Sequence, residues 1–72
     1  MSPEKLVYMA NQIGKFFAYR DEAEAVAAIA DHLVKFWDPR MRAAISAHLA
    51  AGGSGLEPRV REAVASLHRP AA

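Results

Sequence analysis

The chain has 72 residues, nine basic and eight acidic side chains, a formal net charge of +1 and no cysteine. A chain this small forms one domain with a thin core, because it buries only about 60% of the surface it exposes when unfolded. The missing cysteines exclude disulfides and thiolate metal sites, and the near-neutral balance excludes a whole-chain field that would draw the protein to nucleic acid or an anionic membrane. With no staple available, oligomerisation or docking on another protein is the expected route to stability. The opening MSPEKLVYMANQ carries charge and amides where a secretory leader needs an unbroken apolar run, and no apolar run is long enough to span a bilayer. The expected location is therefore the cytoplasm.

The first helix opens at Ser2 as cap with Pro3 in its first turn, and Leu6, Met9, Ala10, Ile13, Phe16 and Phe17 fall on one side at three-and-four spacing. Its polar side presents Tyr8 among Asn11, Gln12 and Lys15, a partner contact or a snorkelling aromatic. The second helix begins at Asp21, with Glu24 placed to close a capping box, and aligns Val26, Ile29, Ala30, Leu33 and Trp37, with Phe36 at the edge. The Asp38-Pro39 step is a boundary, since proline disfavours helical geometry before it yet suits the first position of a new helix.

Asp38 should cap that third helix, which runs from Pro39 to about Ala51 and groups Met41, Ala44, Ile45 and Leu49. Its other side carries Ala43, Ala47, Ala50 and Ala51, either as good helix formers or as a surface on which a second protein can lie close. Gly52-Gly53 ends the helix, and residues 52–55 are expected to be a mobile turn. Pro58 opens a short, weakly apolar last helix with Val60, Ala63, Val64 and Leu67, reaching about His68 and expected to fray or to depend on a partner. The fold class is all-α, a small bundle of three main helices plus a short fourth C-terminal helix. The expected divisions are a helical core domain at 1–51, a Gly-rich turn at 52–57, and a short helix and tail at 58–72.

Residues suited to catalysis are few. No Gly-rich loop joins a strand to a helix, and Ser2, Ser46, Ser54 and Ser66 read as caps, turn residues or exposed helix positions. His32, His48 and His68 sit on three different expected helices with no pair at metal-ligand spacing; boundary histidines bonded to backbone or carboxylate are the expectation for the first two. Arg40 and Arg42 point some 200° apart around a helix, so they cannot both serve one DNA groove. Solvated or ion-paired arginines are one reading, and a bidentate contact to a partner's carboxylate is the other. Trp37 with Phe36 is either a plug where the second helix turns into the third or, with Asp38, Pro39, Arg40 and Arg42, a docking corner of the residue types enriched at binding hot spots.

Two stretches, MANQIGKFF at residues 9–17 and IADHLVKFWDPRMR at residues 29–42, joined by the acidic and alanine-rich residues 21–28, give the chain a clear likeness over roughly residues 4–50. It resembles the delta subunit of the soluble NAD-dependent formate dehydrogenase complex, a family of short helical proteins. The resemblance implies a non-catalytic accessory subunit that supports assembly or stability of the complex by docking on the catalytic alpha subunit. Through that subunit it would meet the iron–sulfur and flavin subunits. It further implies that the molybdenum or tungsten pterin, the iron–sulfur clusters and FMN are held by those partners and none by this chain. The expected contacts are Asn11, Gln12 and Lys15 on the first helix, and Trp37, Asp38, Pro39, Arg40 and Arg42 at the corner. A transient maturation chaperone for cofactor insertion and a small helical DNA-binding regulator are the alternatives.

Overall fold

A computed structural model describes residues 2–67. Four helices follow one another, α1 (Pro3–Phe16), α2 (Glu22–Phe36), α3 (Pro39–Ala50) and α4 (Pro58–Ser66), with no strand among the described residues. Their starts are written locally. Ser2, Asp21 and Asp38 each turn a side-chain oxygen onto a backbone N–H three residues on, at 3.3, 2.9 and 2.9 Å. Pro3, Pro39 and Pro58 occupy first turns, where no amide hydrogen is needed. At Asp21 only this half of the expected capping box forms. The expected end at His68 lies outside the described residues.

The helix ends are closed from a distance. Arg59 Nη1 donates to the Arg20 and Ala18 carbonyls that follow α1, at 3.1 and 3.5 Å. Arg42 Nη1 donates to Trp37 O and, at 3.1 Å, to Val34 O at the end of α2. Arg61 donates to Gly53 O and Gly52 O beyond α3, at 2.9 and 3.1 Å. Each guanidinium thus places its charge near a helix C-terminus, where the dipole is negative, and satisfies carbonyls in the last turn or just beyond it.

The glycine turn is pinned rather than mobile. Gly53 N–H bonds to His48 O and Gly52 N–H to Leu49 O, the paired pattern of a Schellman ending, with Gly52 and Gly53 at φ of 124° and 65°. His48 Nε2–H donates to Ser54 O at 2.7 Å. Asn11 then clamps the far side, its Nδ2 donating to Gly55 O at 2.9 Å and its Oδ1 accepting from Glu57 N at 3.1 Å. Asn11→Ala removes both bonds, and at about 1 kcal/mol each the expected loss is about 1–2 kcal/mol. Chemical denaturation checks that figure, and amide exchange at residues 53–57 should accelerate with it.

The core gathers Leu6 and Ala10 from α1, Ile29 and Leu33 from α2, Trp37, Ile45 from α3, Leu56 from the turn, and Val60, Ala63 and Val64 from α4. The last helix is therefore not a fraying appendage: Val60, Ala63 and Val64 are fully buried, and α4 packs most extensively against α2. Its small apolar side fits because α1 is cut away at Gly14, where an added Cβ would lie 2.7 Å from Val60 Cγ2. Gly14→Ala gains about 1 kcal/mol of helix propensity but overpacks a β-branched neighbour at a cost of about 1–3 kcal/mol. The expected result is a lower melting temperature for Gly14→Ala in the native background and a neutral or raised one when Val60 is already alanine. Thermal melts of the four proteins in that cycle measure the coupling.

Two expected core residues lie outside it. Phe16 is 72% exposed and Phe36 71% exposed. In α1 the buried line runs Leu6, Ala10, Gly14, and Phe16 stands roughly 120° from it at 100° per residue. In α2 the buried row is Ala25, Ile29 and Leu33, and Phe36, about 60° around from Leu33 at 100° per residue, is the last residue of the helix and stands exposed there.

Candidate partner-docking surface

The eight expected contact residues separate by what their side chains already hold. Asn11 clamps the turn, Asp38 caps α3, and Arg42 closes α2. Trp37 is buried, 5% exposed, at the C-cap of α2, with backbone dihedrals of −93° and 138° that swing the chain toward α3. It is a corner plug. The other four, Gln12, Lys15, Pro39 and Arg40, are exposed. Arg40 lines a shallow cleft with Leu6, Asp38, Met41 and Ala44, facing away from Arg42. Gln12 Nε2 donates to the Tyr8 hydroxyl at 3.3 Å, linking two exposed residues on the outer side of α1.

A further surface is one that the spacing of the sequence did not single out. Phe16 and Phe17 at the end of α1 meet His32 and Phe36, one turn apart on α2. The rings form a chain: Phe16 to Phe17 at 5.0 Å edge to face, Phe17 to His32 at 6.4 Å, and His32 to Phe36 at 4.6 Å. The outer two rings face solvent and the inner two are half-buried. His32 thus packs by its ring and makes no described side-chain hydrogen bond, unlike His48, which bonds to backbone as expected. His68 lies outside the described residues.

Two clefts open along this ridge. One of about 280 Å³ is walled by Gln12, Ile13, Phe16, Phe17 and His32, and a second of about 350 Å³ lies across Phe17 and His32 toward Arg20, Lys35 and Phe36. Asp31 and Lys35 form an exposed ion pair at 3.0 Å along the second, the kind of pair that contributes little to stability. Arg20 lies with its guanidinium carbon 5.4 Å from the centre of the Phe17 ring and 5.5 Å from that of Tyr19. Its Nε donates to the Tyr19 hydroxyl at 3.2 Å, and this bond is the main cause that raises the arginine's pKa further.

Exposed aromatic rings beside an arginine are the groups that concentrate binding energy at protein interfaces. Among the described residues no group of three or more His, Asp or Glu converges to hold a metal ion. Ser2 caps α1, and Ser66 Oγ donates to Ala63 O at 2.7 Å. Of the six arginines, Arg42, Arg59 and Arg61 hold backbone carbonyls, so among the described residues only Arg20 and Arg40 reach outward. No described helix is long and apolar enough to cross a membrane.

Neither motif alone makes the ridge. MANQIGKFF supplies Phe16 and Phe17, and IADHLVKFWDPRMR supplies His32 and Phe36, so folding brings the two stretches onto one face. Comparison with known proteins returns a family model, "NADH-dependant formate dehydrogenase delta subunit FdsD", matched over residues 5–64. The match runs through the pinned turn and most of α4, beyond the stretch in which the two motifs lie. No curated protein and no solved structure matches the chain. With most of its length covered by that model, the chain belongs to the family of NADH-dependent formate dehydrogenase delta subunits.

Proposed function

We propose that this chain is a non-catalytic accessory subunit that docks in the cytoplasm on the molybdopterin-holding catalytic subunit of an NAD-dependent formate dehydrogenase and supports its assembly or stability. The observation that carries the reading is the exposed Phe16–Phe17–His32–Phe36 ridge, built by the two stretches that resemble the family. Large exposed rings on so small a protein are what a subunit leaves open for a partner. Gln12 and Lys15 extend the docking surface along α1, and Pro39 and Arg40 extend it at the corner. Asn11, Trp37, Asp38 and Arg42 act through the fold, by holding the elements that carry those contacts. A chain without cysteine has no thiolate for iron–sulfur clusters, which favours placing the clusters in the partner subunits, and the pterin and FMN are assigned to those subunits on the family resemblance.

The test is purification of the tagged chain from formate-grown cells at native expression level, followed by identification of every protein and metal in the fraction that reduces NAD with formate. Stoichiometric recovery in that active fraction is the expected result. Recovery only with cofactor-free catalytic subunit would replace the resident-subunit reading with a maturation chaperone. Recovery with neither would remove the docking role.

A further inference from the structure

Resting on the docking role proposed above, we infer that the ridge receives a segment of the partner protein that carries an apolar side chain beside an Asp or Glu. The apolar group enters the cleft between Phe16, Phe17 and His32, and the carboxylate meets Arg20. Arg20 is the charge in the walls of the two clefts that makes no described ion pair. Asp31 and Lys35 pair at 3.0 Å, whereas Arg20 makes no described ion pair and feels Glu24 only at longer range.

The guanidinium is also held in place. Two aromatic rings, at 5.4 and 5.5 Å, and the bond from Nε to the Tyr19 hydroxyl fix its plane, leaving both Nη groups without a described acceptor. An arginine fixed by stacking presents a forked pair of donors that matches a carboxylate and loses little further freedom on binding it. The adjoining cleft is walled by the Phe16, Phe17 and His32 rings and Ile13, with Gln12 at its side and no charged group in its walls, which suits an apolar anchor and not a second charge.

A second copy of this chain fits poorly. A two-fold contact through the ridge would set the same cation-bearing face against itself. A phosphate-rich partner would need several cations tracking its backbone, and among the described residues walling the two clefts Arg20 is the one cation outside an ion pair.

The experiment uses the formate dehydrogenase complex purified from cells lacking this chain, titrated with the wild-type chain, Arg20→Glu and Arg20→Lys at two salt concentrations. Circular dichroism of each variant confirms the fold, which the fully exposed Arg20 does not support. The expected result is a loss on the order of 30-fold for Arg20→Glu, a smaller loss for Arg20→Lys, and wild-type binding that weakens as salt rises. A photo-crosslinking amino acid in place of Phe16 should attach to a partner peptide in which an Asp or Glu lies within about one helical turn of the apolar anchor.

Wild-type affinity retained by Arg20→Glu would overturn the inference while leaving the docking role standing. So would a crosslinked peptide without a carboxylate, or a dimer of this chain that Phe16→Ser disperses. Failure of the wild-type chain to bind the complex at all would remove the docking role itself, and this inference with it.

Discussion

Trp37→Ala should abolish cooperative folding or come close to it. The indole is 5% exposed in the hydrophobic core of the described residues, in one cluster with Leu33 and Ile45 at the turn from α2 to α3. Truncating a buried aromatic to alanine costs about 3–5 kcal/mol, because transfer free energy is lost and a cavity is left. Domains hold roughly 0.05–0.15 kcal/mol per residue of net stability, so a chain this short has little beyond that cost. The expected outcome by thermal melting is a midpoint lowered by roughly 15 °C or more, or no cooperative transition. Trp37→Phe keeps most of the volume and should keep the transition. A full cooperative melt for Trp37→Ala would place the ring outside the core. The consequence for function is direct: association lost on truncating Trp37 reports an unfolded subunit, and not a contact removed from the interface.

The corner at residues 37–42 also shows which parts of the molecule are legible in sequence. Asp38 and Pro39 act on their own neighbours, so the cap and the helix start follow from local rules, as they do at Ser2 and Asp21. Arg42 is different. A guanidinium on the sequence reads as a charge for solvent or a partner, while its actual task is to close the end of the preceding helix. Arg59 bonds the carbonyls after α1 and Asn11 clamps the glycine turn over separations of 39 to 46 residues, and no local pattern announces such pairs.

Burial was legible where the helical period continues and illegible where it stops. Leu6, Ile29, Leu33, Ile45, Val60 and Val64 follow the period and are the large side chains most fully enclosed. Leu56 sits in a glycine turn with no period and is buried all the same. Phe16 and Phe36 stand at helix ends, where their exposure depends on how far a neighbouring helix reaches. The candidate docking surface was hidden for that reason, since its three phenylalanines read as core.

That reversal yields the second large effect. Phe16→Ala and Phe36→Ala should each leave stability within about 0.5 kcal/mol of wild type, because surface truncations away from caps and networks seldom do more. Their effect on association should be large. Exposed aromatics that become enclosed at an interface are worth about 2 kcal/mol or more apiece when truncated, roughly a 30-fold loss of affinity for each. The two rings are separated along the ridge by Phe17 and His32, so the double variant should lose more than either single one. Titration of the formate dehydrogenase complex lacking this chain measures the affinities, and Glu62→Gln, exposed on α4, serves as a change away from the ridge. Unchanged affinity in the double variant would sink the ridge as a docking surface and turn attention to the cleft at Arg40. A loss confined to Phe16 would centre the contact on the apolar cleft it shares with Ile13 and His32, and a loss confined to Phe36 would centre it on the cleft beside Lys35. Melting data for the same proteins decide the interpretation, because only a variant that binds weakly while unfolding like wild type locates the partner on this face.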